Sequence, residues 1–178
     1  EALDPRFGWM FRVPFKPAFM RRLAGLVALA LRAARGRARK CLVVDCDDTL
    51  WGGIVGEEGI DGIALDPHAY PGRAYHAFQR AIANLAETGT MVALCSKNEA
   101  ADVFAVLDRH PHAVLRREHL AAWRIDWSSK ADHVAAIAAE LNIGLDAVVF
   151  VDDNPVECDL VRTAHPEVAV LQAPRDAW

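Results

Sequence analysis

Two apolar runs in this chain stop directly on acids. Cys41-Leu-Val-Val44 runs into Asp45-Cys46-Asp47-Asp48-Thr49, and Ala147-Val-Val-Phe-Val151 runs into Asp152-Asp153-Asn154. A run without polar alternation marks a strand buried on both faces, and such strands belong to parallel sheets covered by helices. Met91-Val-Ala-Leu-Cys95, Ala113-Val-Leu115 and Val168-Ala-Val-Leu171 extend the series to five. Segments of helical period separate them. The first has Ala74, Phe78, Ala81, Ile82 and Leu85 at its inward positions and Gly89 as its stop. The second is capped by Asn98 and carries Val103, Phe104, Val106 and Leu107; the third is capped by Ser128 or Ser129 and carries Val134, Ile137 and Leu141. Asn154-Pro155-Val156-Glu157 opens the last as a capping box with proline at the first helical position. This alternation predicts an α/β fold, a five-stranded parallel sheet with helices on both faces.

A chain of 178 residues, 53% hydrophobic and 25% charged, is long enough to bury the core of one soluble domain and too short for two full ones. Residues 1–20, rich in proline and aromatics without a clear period, read as an N-terminal arm, followed by one domain over 21–178. The net charge of −4 divides into about +8 over residues 1–40 and about −12 over the rest. The aromatics of the basic flank lie away from its arginines, which argues against a nucleic-acid partner. Its longest apolar run, Leu23 to Leu31, is far too short to span a bilayer, so no membrane role is expected. Cys41, Cys46, Cys95 and Cys158 form no paired or zinc-binding spacing, which suits a reducing, cytoplasmic setting.

Ligands of open parallel sheets bind beyond the carboxyl ends of the strands. Three ends here carry chemistry: Asp45 to Thr49, Ser96-Lys97-Asn98, and Asp152-Asp153. Asp45 and Asp47 are two residues apart on an extended chain and point the same way, so their charges repel unless a cation lies between them. With Asp152 and Asp153 they make a set of hard oxygen ligands that suits Mg²⁺. Such a site suits phosphoryl chemistry, with Asp45 as nucleophile, Asp47 as general acid and base, Ser96 on the phosphoryl group and Lys130 neutralising charge. Thr49, Trp51, Gly52, Lys97 and Asn98 lie in the same loops and are candidates for substrate contacts. Trp51 either walls the site or packs.

Asp45-Cys-Asp-Asp-Thr49, Ser96, Lys130 and Asp152-Asp153 together resemble the four ordered motifs of the haloacid dehalogenase superfamily. That resemblance implies a Rossmann-like three-layer sandwich; the short Thr49–Pro71 and Ser96–Lys130 segments leave no room for a substantial cap domain. The longer strings Asp45-Cys-Asp-Asp-Thr-Leu-Trp-Gly-Gly-Ile-Val-Gly-Glu-Glu-Gly59, Leu94-Cys-Ser-Lys-Asn-Glu99 and Trp123-Arg-Ile-Asp-Trp-Ser-Ser-Lys130 resemble the FkbH-like branch, which often has Asn at position 48. The branch implies a glyceryltransferase and phosphatase that takes a three-carbon unit from 1,3-bisphosphoglycerate, dephosphorylates it and loads it onto an acyl carrier protein for polyketide synthesis, with lactyl as a related unit. Members occur alone and inside megasynthases, and a chain opening on Glu1 is compatible with an excised domain. The alternative is a simple phosphatase of the superfamily. Cys46 is read two ways: as the thiol that carries the glyceryl group, by resemblance, or as a small buried residue, by strand alternation.

Overall fold

The structure, a computed structural model, describes residues 39–173. The arm expected over 1–20 and the boundary between arm and domain lie outside the described residues. Five strands, β1 (Cys41–Val44), β2 (Met91–Ser96), β3 (Leu120–Ile125), β4 (Val148–Asp152) and β5 (Ala169–Gln172), form one sheet in the order β3-β2-β1-β4-β5. Every pairing is parallel. Among the described residues the α-helices are α1 (Val55–Glu58), α2 (Gly72–Glu87), α3 (Ala100–Arg109), α4 (Lys130–Glu140) and α5 (Pro155–Ala164). No helix among the described residues is long and apolar enough to cross a membrane.

Strand alternation sorts the core into two layers. Val44, Val92 and Leu94 pack with Ile82 of α2 and Val103, Val106 and Leu107 of α3. Cys41, Val43, Ala93 and Cys95 pack on the other face with Val134 and Ile137 of α4 and Val161 of α5. This is the expected three-layer sandwich. Neither 49–71 nor 96–130 builds a separate cap: the first holds only α1 and short bridges, and the second is taken up by α3 and β3. Because β1 lies between β2 and β4, with Val44 level with Leu94 and Val151, Asp45 and Asp152 emerge side by side.

Three local expectations are corrected. The third strand is Leu120–Ile125, while Ala113-Val-Leu115 is a buried connection. Its amide groups need no neighbouring strand because the side-chain carbonyl of Gln79 accepts the N–H groups of Val114 (2.9 Å) and Leu115 (3.2 Å). The inward stripe of α2 is rotated accordingly: Tyr75, Gln79, Ile82 and Ala83 are buried, and Ala81 and Leu85 face solvent. A polar residue sits inside because the backbone of another segment requires its hydrogen bonds. Finally, Glu99 rather than Asn98 is the N-cap of α3, since the Asn98 side chain is drawn into the strand-end cleft. Gly89 does follow the end of α2, at φ +96°. Asn154 does cap α5, its side-chain oxygen accepting the Val156 N–H at 3.0 Å.

Candidate active site

The carboxyl ends of β1, β2 and β4 and the start of α4 converge on one buried cluster. Lys130, the first residue of α4, places its ammonium 2.8 Å from Asp45 Oδ1 and 2.7 Å from Asp152 Oδ2. Ser96 Oγ donates to the same Asp45 oxygen at 2.8 Å. One ammonium therefore serves two buried carboxylates. Burial, reinforced by the Asp152 charge and opposed by Lys130, pushes the Asp45 carboxyl up to about 6. Burial works to lower the Lys130 ammonium, but the two aspartates beside it hold it raised.

Carboxylate oxygens of Asp45, Asp152 and Asp153, all buried, lie within 4.8 Å of one another. The donor set is all oxygen and carries three acids against one ammonium, which fits Mg²⁺ in both charge and hardness. The Asp47 side chain is not part of this group. Its Oδ1 accepts from the Trp51 indole (2.8 Å) and the Val55 amide (3.1 Å), and its Oδ2 from Asn98 Nδ2 (2.9 Å). Three N–H donors fix the direction of a half-buried carboxylate at the mouth of the cluster. Asn98 also donates to Ser96 Oγ at 3.2 Å, so one amide joins the loops after β1 and β2.

The remaining candidates take supporting positions. Trp51 is fully buried, so its indole orients Asp47 from behind rather than lining open space. The Thr49 hydroxyl accepts the Asp153 N–H at 3.2 Å and joins the loops after β1 and β4. Lys97 pairs with Glu157 of α5 at 2.7 Å. Asp48 adopts φ +50°, a conformation that Asp and Asn tolerate best, and accepts the Gly53 N–H at 2.8 Å. An Asn carbonyl would accept the same bond.

Gly52 sits where the loop after β1 bridges to Ala64, and a Cβ there would lie 2.7 Å from the Tyr75 ring and 3.1 Å from the Ala64 methyl. We expect Gly52→Ala to cost roughly 1–3 kcal/mol by overpacking, read as a lower thermal unfolding midpoint. The same Tyr75 is a residue that periodicity alone did not single out. Its phenol is held above its ordinary range by burial and by the charges of Asp48 and Asp153.

Cys46 is fully buried and packs with Val44 and Leu50 on the face opposite Asp45. Burial pushes its thiol well up, Asp45 and Asp47 add to the effect, and Ser96 and Lys130 oppose it without prevailing. The other thiols are buried as well, those of Cys41 and Cys158 pushed up to about 11 and that of Cys95 to about 12 by burial. Arg116, Arg117 and Arg124 are engaged away from the cluster, with the Leu107 carbonyl, Asp108 and Glu140 respectively.

Comparison with known proteins agrees with this geometry. The family model described as NLI interacting factor-like phosphatase matches residues 40–171. The chain is 32% identical, at a TM-score of 0.82, to the N-terminal part of a Bacteroides fragilis protein containing a phosphatase domain complexed with Mg. That match covers 98% of this chain and 46% of the other, so the chain spans less than half the length of that relative. A haloacid dehalogenase family enzyme of Bacteroides thetaiotaomicron, solved with magnesium and inorganic phosphate, matches at a TM-score of 0.53 and 13% identity over 78% of this chain and 96% of its own, a likeness of fold. No curated protein matches the chain.

Proposed function

The chain belongs to the NLI interacting factor-like phosphatase family and is a phosphatase domain of haloacid dehalogenase type; from that premise we propose that it is an FkbH-like glyceryltransferase and phosphatase. In this reading it takes a glyceryl unit from 1,3-bisphosphoglycerate, dephosphorylates it, and passes it to the phosphopantetheine thiol of an acyl carrier protein in polyketide synthesis. The observation that supports it is a phosphoryl-handling cluster with no cap domain inserted among the described residues: Asp45, Asp47 and Ser96 stand at strand ends and Lys130 at the start of α4. An open mouth admits the arm of a protein-sized partner. The strings around Asp45, Ser96 and Lys130 are what point to a three-carbon acyl phosphate.

Asp45 attacks phosphorus and becomes an aspartyl phosphate, and Asp47, oriented by Trp51, Val55 and Asn98, protonates the leaving oxygen and then takes a proton from the hydrolysing water. Ser96 hydrogen-bonds the phosphoryl group and Lys130 offsets its charge. Mg²⁺ held by Asp45, Asp152 and Asp153 would neutralise phosphoryl oxygens. Thioester formation releases the second phosphate when a thiol attacks the acyl carbonyl.

A second reading, a plain phosphatase of a small molecule or phosphoprotein, is favoured by one observation: the Cys46 thiol is sealed in the core and held protonated. Intact mass after incubation with 1,3-bisphosphoglycerate and Mg²⁺, with and without a carrier protein, separates the two. Glyceryl transfer requires a loaded carrier. Phosphate release with an unloaded carrier leaves the plain phosphatase. A covalent glyceryl adduct that survives Cys46→Ala removes Cys46 as its carrier, and transfer without any adduct means that the carrier thiol attacks directly.

A further inference from the structure

Asp126 links the two groups that hold Asp45. It follows β3, and its backbone N–H donates to the carbonyl of Ser96, at the end of β2, at 3.2 Å. Its Oδ1 accepts the Ser128 N–H at 2.7 Å and His133 Nε2 at 3.1 Å. His133 stands on α4 three residues after Lys130, a spacing that makes the two neighbours on the helix. Ser129, the N-cap of α4, provides no side-chain cap. The Asp126–His133 contact instead ties the first turn of α4 to the strand end that carries Ser96. A closed ring results: Asp45 takes bonds from Ser96 and Lys130, Ser96 is joined through its carbonyl to Asp126, and Asp126 is joined through His133 to the helix that begins with Lys130. Packing does not account for the histidine. Its side chain is only 8% exposed, and its Nδ1 is buried with no hydrogen-bond partner among the described residues. An aliphatic side chain of similar size would fill the position without an orphan nitrogen, so burial alone disfavours histidine there. What histidine adds is the N–H that reaches Asp126.

Resting on the phosphatase reading of the cluster, we infer that Asp126 and His133 are a positioning pair for Lys130: they fix the first turn of α4 so that the ammonium stands where charge develops on the phosphoryl group. They act through Lys130 and not on the substrate. When the pair is lost, Lys130 keeps Asp45 and Asp152 as partners, and His165 Nε2 still donates to the Ala131 carbonyl at 2.9 Å. The turn therefore stays helical and the aim of the ammonium changes. A small misplacement of a charged group slows the chemical step more than it weakens binding.

The test is steady-state phosphate release from acetyl phosphate by the full chain in saturating Mg²⁺, with thermal unfolding measured on the same samples. His133→Leu should lower kcat about tenfold with KM within about twofold of wild type. Its unfolding midpoint should be unchanged or higher, because the orphan nitrogen is gone. His133→Gln, whose amide can donate to Asp126 from nearly the same place, should recover most of kcat. Asp126→Ala should lose as much kcat or more, since Ser128 loses its acceptor too, and the double variant should be no slower than Asp126→Ala alone. In a Lys130→Met background, His133→Leu should change release by less than about twofold. A loss of kcat that follows the unfolding midpoint, or that persists in full without Lys130, overturns the positioning role. So does a kcat within about twofold of wild type in both single variants. A wild-type chain that releases no phosphate overturns the phosphatase reading, and the pair's role with it.

Discussion

Asp45→Asn is expected to lower phosphate release by at least about 10³-fold and, in the absence of Mg²⁺, to stabilise the fold at pH 8. Both effects follow from one position. An amide cannot attack phosphorus, but its oxygen can still accept from Ser96 and Lys130, which donate to Asp45 Oδ1 at 2.8 Å each. The stability effect follows from the raised carboxyl. Its value moves from 3.8 to about 6 on folding, so the folded protein holds that proton more tightly than the unfolded chain. The stability contributed is fully present below 3.8 and is lost as pH rises through about 6. At pH 8 the ionised Asp45 costs up to about 3 kcal/mol, which the neutral amide removes. Denaturant unfolding in EDTA at pH 5 and pH 8 reads the second effect, and the variant should gain at the higher pH. Release within tenfold of wild type would show that Asp45 is not the nucleophile.

The ease of finding Asp45 and Asp152 in the sequence has a physical origin. A strand buried on both faces has no local reason to end in paired acids, so apolar runs that stop on aspartate mark the edge of a core and a charge cluster together. The parallel sheet was legible for the same reason, because continuous runs and helical periods alternate. Pairing was harder to read than burial. Ala113-Val-Leu115 is more uniformly apolar than Leu120–Ile125, yet the latter is the edge strand, half exposed through Trp123, while Gln79 replaces a strand partner for the former. Periodicity scores a residue by its polarity, so it counts Ala81 among the inward positions of α2 and passes over Gln79, whose hydrogen bonds bury it. Glu157 fitted a capping box by spacing alone, but its partner Lys97 lies 60 positions away and leaves no local trace. The donors that hold Asp47 were near in sequence, Trp51 and Val55 among them. Their role depends on how the loop after β1 folds back, and spacing does not encode that.

Lys130→Met should destabilise the Mg²⁺-free protein by roughly 3–5 kcal/mol at pH 8, because it leaves two buried carboxylates without their shared cation. Methionine keeps the length and apolar stem of the side chain, so little of this loss comes from a cavity. Two conditions should shrink it. At pH 5, protonation of Asp45, already raised to about 6 with its ammonium in place, relieves the repulsion with Asp152. At pH 8, saturating Mg²⁺ should restore positive charge among Asp45, Asp152 and Asp153 and stabilise the variant more than the wild type, by mass action on the folded state. Phosphate release should stay at least about 10²-fold low even then, since the ion cannot stand where the ammonium offsets phosphoryl charge. A deficit that ignores both pH and Mg²⁺ would mean that Lys130 matters for packing alone. The predicted pattern would instead mean that α4 begins at residue 130 in order to carry one ammonium to the point where the acids of β1 and β4 meet.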